Sequence, residues 1–359
     1  MEPLEVEIKS LIKVWITVMA CLTYCYSISR NIPKGILRLI SVLPIIPIFT
    51  ILPLYLSWVQ FAGTIGFFIA WLANFKLILF SFNHGPLSAP SISFQHFVSI
   101  ACFPINFKQN PSHKAKSEQH PSTQIDNPSS QNPQSSSTYL TYALKGLILV
   151  LLVKSYNYKQ YLHPNFVILL YCIHIYFQLE LMLIVIAELV QFFLGLELEP
   201  QFNQPFLSTS LQDFWGKRWN LMVTGILRPT IYQPVQSLCM RFGKRCAKLI
   251  ALLATFVVSG LMHELIIYYL GREWPTWEIS YFFVLHGVSL AVEIELKRCF
   301  RGKFQLPQLV SGPLTAGFVL VTGSWLFFPQ FLRCGADVRT IREYAIIWES
   351  IMGLVKYVK

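Results

Sequence analysis

The 359-residue chain is 54% apolar and only 13% charged, against about 45–50% and about 25% in an ordinary soluble domain. That balance excludes a conventional string of soluble domains, and the length excludes a small fold held by disulfides. The 29 basic residues exceed the 18 acidic ones by 11. They stand between apolar runs rather than in one patch, which excludes nucleic acid as the expected partner and points to basic loops of a bilayer-embedded protein.

A first apolar run covers residues 11–29 behind an acidic start of Glu2, Glu5 and Glu7. It lacks the basic region and cleavage site of a signal peptide, so it reads as a span that stays. A second run, 36–58, carries Pro44, Pro47 and Pro53. Prolines at that density predict a kinked helix whose freed carbonyls need neighbours. The third run is 61–82. Residues 108–138 are dominated by Ser, Pro, Asn and Gln, a composition that cannot bury enough surface to order itself, and they read as a flexible cytosolic loop. Further runs lie at 139–153, 165–194, 246–270, 279–296, 309–329 and, weakly, 341–355. The expected fold is therefore all-α and polytopic, one membrane-embedded domain over 1–359 with about eight or nine transmembrane helices.

The segment 195–245 is the most polar long stretch after that loop, yet it holds Phe214, Trp215, Trp219 and Met222. It reads as helices lying at the membrane surface. Lys and Arg follow the first, third, fifth and seventh runs, while the alternate connections are short or less charged. This alternation places 195–245 in the cytosol. The eight cysteines form no Cys-x-x-Cys pair, so neither a zinc site nor a redox dithiol is expected.

Few polar groups lie deep in apolar runs, where each is expensive. His263, in ATFVVSGLMHELIIYYL (254–270), stands fifteen residues beyond Lys248, or about 22 Å into a hydrocarbon core of about 30 Å. Ser259 is one turn earlier on its face, Gly260 permits close approach of a helix or ligand, and Glu264 points to a different face. Position 267 is Ile267, so the His-Glu-x-x-His zinc pattern is absent. His286 and Glu293 are seven residues apart and share one helix face. They read as interhelical hydrogen bonds or tunnel lining, as do His174, Gln178, Glu180 and Glu188.

In SLQDFWGKRWNLM (210–222), Ser210 and Asp213 form a capping-box pattern that starts a helix. Asp213, Lys217 and Asn220 then fall on one face, Asp213 and Lys217 at the favourable i, i+4 spacing. Trp215, Trp219 and Met222 form the other face, as in an interfacial amphipathic helix. No Gly-x-Ser-x-Gly elbow, Walker loop, His-x4-Asp pattern or aspartate-rich diphosphate motif occurs. From the residues alone, a lipid or solute transporter using these polar groups as its pathway stays open, although no internal repeat supports it.

Five blocks carry a resemblance: WLANFKLILF (71–80) with GPLS (85–88), PQFNQPFLSTSLQDFWGKRWNLMV (200–223), VSGLMHE (258–264), FFVLHG (282–287) and GFVLVTGSWLFFPQ (317–330). Through them the chain resembles the membrane-bound O-acyltransferases, specifically the plant wax synthase branch. The resemblance implies an endoplasmic reticulum membrane enzyme that joins fatty acyl-CoA to a long-chain fatty alcohol, with neither metal nor cofactor. It carries the catalytic roles to His263, as the base on the alcohol, and to Asn220, which orients the thioester or donates to the oxyanion. Asp213, Lys217, Arg218, Trp219, Ser259, Glu264 and His286 are the further candidates for substrate contact. In the sterol and diacylglycerol branches an aspartate is shortly followed by two tryptophans and the asparagine. Here Asp213 stands seven residues before Asn220, which favours wax ester, with sterol ester as the alternative.

Overall fold

The computed structural model describes residues 4–104, 134–195, 201–300 and 306–358, and every regular element among them is helical. The chain divides into two compact units, residues 1–106 with 200–359, and residues 107–199.

The larger unit opens with α1 (Leu4–Ser27), followed by α2 (Ile36–Val42) and α3 (Ile45–Ile51), which are short because Pro44 and Pro53 interrupt them. The exposed carbonyls of this broken run are taken up as expected. Tyr269 donates its hydroxyl to Thr50 O at 2.6 Å, and Arg272 Nη2 donates to Pro53 O, Leu54 O and Leu56 O at 2.8–3.2 Å. The next stretch runs through α4 (Val59–Ile65), a π-helical turn (Gly66–Ala73) and α5 (Asn74–Ser81), then α6 (Phe94–Cys102).

The start of α4 is held in a way the sequence does not advertise. Its leading N–H groups lack intrahelical acceptors and carry the positive end of the helix dipole. Ser57 N and Trp58 N donate to Glu7 Oε1 at 2.9 and 3.0 Å, and Val59 N and Gln60 N donate to Glu343 at 2.6 and 3.0 Å. Both carboxylates are essentially buried, at 1% and 0% exposure. Residues from the first and last helices thereby fix one helix end. The buried Lys76 does the converse at the end of α6, donating to Ile100 O and Phe103 O at 2.5 and 2.6 Å.

The smaller unit is the helix pair α7 (Gln134–Ser155) and α8 (Pro164–Leu194). Lys145 pairs with Glu180 at 2.6 Å, and Tyr156 Oη lies 3.0 Å from His174 Nδ1. Those polar side chains of α8 thus serve contacts within the pair. Most of the loop read over 108–138 lies outside the described residues. Its last five residues already belong to α7, because neither proline nor glycine follows Pro133 until Gly146.

The larger unit resumes with α9 (Leu211–Asp213), α10 (Leu221–Leu227) and α11 (Gln233–Leu238). Then come α12 (Lys244–Gly271), α13 (Glu278–Cys299), α14 (Gln308–Thr322), α15 (Phe328–Arg333) and α16 (Ala336–Val358). Helices α12 and α13 run antiparallel and close. A Cβ on Gly260 would stand 3.0 Å from Ser280 Cα, and one on Gly287 would stand 2.9 Å from Phe256 Cβ. Gly260 therefore admits a helix.

Among the described residues, eight helical stretches are long and apolar enough to cross a membrane: Leu4–Asn31, Ile36–Tyr55, Val59–Ser81, Leu140–Tyr161, Pro164–Phe193, Lys244–Gly271, Glu278–Cys299 and Gln308–Arg333. They match the first eight apolar runs. The weak ninth run is helical in α16, but Asp337, Arg339, Arg342 and Glu343 leave it too charged to count with them.

Candidate active site

His263 lies in the C-terminal half of α12, just beyond Gly260, whose contact with Ser280 holds α13 close. Its Nδ1 donates to Ser259 O, one turn earlier, at 2.8 Å. A carbonyl can only accept, so in the neutral ring Nδ1 carries the proton and Nε2 presents the lone pair. The ring is partly exposed and walled by aromatics. Phe283 of α13 lies 4.4 Å away, Trp71 of the π-helical turn 5.2 Å and Phe327 6.0 Å, centroid to centroid. Ser259 thus contributes its backbone carbonyl to the site. Glu264 faces elsewhere, as its adjacent position dictates. It is buried at 2% exposure and caps α13 by accepting the Ser280 N–H at 3.0 Å.

The 210–222 segment begins as its sequence predicts, with Ser210 Oγ accepting the Asp213 N–H at 3.1 Å. It does not continue as one amphipathic helix. After the single turn of α9 it widens into a π-helical turn, Phe214–Arg218, with Trp219 N donating to Phe214 O at 2.9 Å. In that geometry residues five apart meet. Asp213 accordingly pairs with Arg218 Nε at 2.7 Å rather than with Lys217, which is exposed. Arg218 also donates to Asn203 O and Gln204 O at 3.2 and 3.4 Å, tying the 201–204 strand of backbone to the turn.

The chain then breaks at Asn220, which adopts φ +42° and ψ +63°. Asparagine tolerates this left-handed region because its short side chain bonds locally. Asn220 Oδ1 accepts Val223 N–H at 3.3 Å and so caps α10. That one group both ends the turn and starts a helix. Its Nδ2 has no hydrogen-bond partner among the described residues. The two tryptophans part company here. Trp219 stacks on Phe214 at 5.4 Å, whereas Trp215 reaches into the α12–α13 pair and meets Phe256 at 5.5 Å and Phe283 at 5.8 Å.

The shared face of His286 and Glu293 explains how α13 holds this segment. Glu293 accepts Leu211 N–H at 2.8 Å and Gln212 N–H at 3.4 Å, capping α9, and pairs with Lys297 at 2.6 Å. Two turns along, His286 Nδ1 accepts the Trp215 indole N–H at 3.1 Å. Its Nε2 lies 2.8 Å from Thr322 Oγ1, whose own proton goes to Phe318 O at 2.6 Å, so Nε2 is the donor. Both nitrogens of a ring with 0% exposure are therefore committed. His286 joins α13, α14 and Trp215. A continuous stack leads from it through Trp215 and Phe283 to His263.

The structure brings His263, Ser259 and, through Trp215, the Asn220-bearing segment around Phe283. Lys217 and Trp219 stay at the periphery of that stack. Sequence reasoning had no account of Phe283, Phe327 and Trp71 as the walls of His263. Their only local signal is that each falls in one of the recognisable blocks.

Residues 198–285, which hold both Asn220 and His263, match the membrane bound O-acyl transferase family. The chain is 43% identical over 362 aligned positions to the long-chain-alcohol O-fatty-acyltransferase of Simmondsia chinensis, covering 98% of this chain and 99% of that one. It is 45% identical over 351 positions to the probable long-chain-alcohol O-fatty-acyltransferase 2 of Arabidopsis thaliana, covering 97% of each. With the acyl-CoA–sterol O-acyltransferase 1 of the same plant it shares 44% over 340 positions, 94% of this chain and 95% of that one. With near-complete coverage, intact His263 and Asn220 blocks and eight long apolar helices among its described residues, this multi-pass membrane protein belongs to the membrane bound O-acyl transferase family.

Proposed function

We propose that the protein esterifies a long-chain fatty alcohol with the acyl chain of a fatty acyl-CoA, giving a wax ester and free CoA, at the endoplasmic reticulum membrane. The observation that carries the reading is the His263 ring, with Nδ1 held by Ser259 O and Nε2 left open in an aromatic recess. In this reading Nε2 takes the hydroxyl proton as the alcohol oxygen attacks the thioester carbon. General-base help of this kind is worth ~10²–10⁴ in rate. The unpartnered Nδ2 of Asn220 orients the thioester. Apolar walls suit both lipid chains, and the basic residues Lys217, Arg218, Lys244 and Lys248 suit the phosphates of CoA approaching from the cytosol.

The names of the relatives divide between fatty alcohol and sterol as acceptor. The experiment uses microsomes from a host lacking its own wax and sterol ester synthases, supplied with labelled palmitoyl-CoA and either hexadecanol or a sterol. Wax ester from wild type and none from a well-expressed His263→Ala protein supports the reading. Sterol ester instead keeps the chemistry and moves the acceptor. No ester from either alcohol overturns it.

A further inference from the structure

We infer that the indole N–H of Trp71 is a hydrogen-bond donor to the acyl oxygen at His263. The inference rests on the acyltransferase reading and adds a group to it. Trp71 is 1% exposed, and its Nε1 has no hydrogen-bond partner among the described residues. Buried donors are rarely left so, and each such case calls for an explanation. Its surroundings narrow the explanation. The Trp71 and His263 rings lie 5.2 Å apart, centroid to centroid, at 76° to each other, and the other described rings against that imidazole belong to Phe283 and Phe327, which have no donor. Among these rings Trp71 alone carries an N–H.

The placement is also rigid. Trp71 lies within the π-helical turn Gly66–Ala73, a geometry found often at functional sites. That turn is pressed onto the His263 helix, since a Cβ on Gly66 would fall 2.7 Å from the Tyr269 ring. Phe67 packs on Trp71 at 5.3 Å, its ring at 89° to the indole. A fixed, buried donor with no partner among the described residues is the kind of group that stabilises developing charge without reorganisation.

In the step this implies, the alcohol oxygen forms a bond to the thioester carbon while His263 Nε2 takes the hydroxyl proton. The carbonyl π pair moves onto the acyl oxygen, which the Trp71 N–H then holds as an oxyanion. Return of that pair re-forms the carbonyl and breaks the carbon–sulfur bond. The CoA thiolate leaves and receives the proton from His263, so ester and free CoA are the only products.

The test compares wild type with Trp71→Phe and Trp71→Leu, both of which delete the N–H. Each is measured for kcat and KM with palmitoyl-CoA and hexadecanol. Each is also measured for affinity to S-hexadecyl-CoA, a thioether with the chain but without the carbonyl. The expected result is a kcat loss of ~10²-fold or more, with KM and thioether affinity within about twofold of wild type. Wild-type kcat in either variant overturns the inference, as does a fall in thioether affinity that matches the fall in rate, because both would mean Trp71 only packs. If one variant fails to accumulate, the other decides. If wild type makes no ester at all, it is the acyltransferase reading that fails.

Discussion

His263 and His286 lie in neighbouring antiparallel helices, each deep in an apolar stretch, and their surroundings differ in one respect. His286 spends both ring nitrogens on the protein, one on Trp215 and one on Thr322. His263 spends one, on Ser259 O, and keeps the other in a partly exposed aromatic recess. A buried polar group with every partner supplied has a structural explanation that is complete. One left half-satisfied beside accessible space is where a substrate proton can go. The same contrast separates the clamped start of α4, whose N–H groups are met by Glu7 and Glu343, from Asn220, whose amide nitrogen has no partner among the described residues.

The contrast is broken most sharply at His263. His263→Ala should lower ester synthesis by ~10²–10⁴ while leaving the melting temperature nearly unchanged, which kinetics and a thermal melt on the same preparation would check. Asn220→Gly comes next. Glycine accepts φ +42° without strain and replaces an N-cap asparagine at a cost of a few tenths of a kcal/mol. The expected outcome is therefore a rate loss of ~10²-fold in a protein of ordinary stability, and preserved turnover would reduce Asn220 to a cap.

His286→Ala should show the opposite pattern. Leaving the Trp215 and Thr322 groups without their buried partner costs about 1–3 kcal/mol, so the melting temperature should fall by several degrees, with the rate falling only as Trp215 loosens. A variant as stable as wild type but inactive would assign His286 to the chemistry instead. The smallest effect is expected from Glu293→Gln, which keeps an oxygen for the Leu211 N–H but loses the charge at the start of α9 and the pair with Lys297. Its cost is about 0.3–1 kcal/mol, and limited proteolysis should report it as faster cleavage within 201–220.

Much of this was legible in the chain because lipid imposes a strong pattern. A helix must supply ~20 apolar residues to cross a bilayer, and each of the eight qualifying helical stretches coincides with an apolar run. The Ser210 cap and the divergence of His263 from Glu264 follow from local spacing and were equally readable. Lys217 was not, because the i, i+4 rule presumes α geometry and the Phe214–Arg218 turn is π-helical, so that Arg218 takes Asp213. Nor were Glu7 and Glu343, which are ordinary acidic residues until two distant helices bring them to one helix end.

The amino-acid order by itself determined that this is an all-α, multi-pass membrane protein, and it marked His263 and Asn220 as polar groups in costly or motif-bearing positions. Apolar run length, charge and local spacing are one-dimensional properties and need no fold to be read. What only the tertiary structure decided is which of those polar groups are spent and which are free. Hydrogen-bond partners such as Ser259 O for His263 are local, but those of His286, Glu293, Glu7 and Glu343 lie tens to hundreds of residues away. The aromatic wall around His263 is likewise assembled from Trp71, Phe283 and Phe327, residues that meet only when three apolar stretches pack. Saturation of a buried group is a property of three-dimensional neighbours, and a chain carries no record of them until it folds.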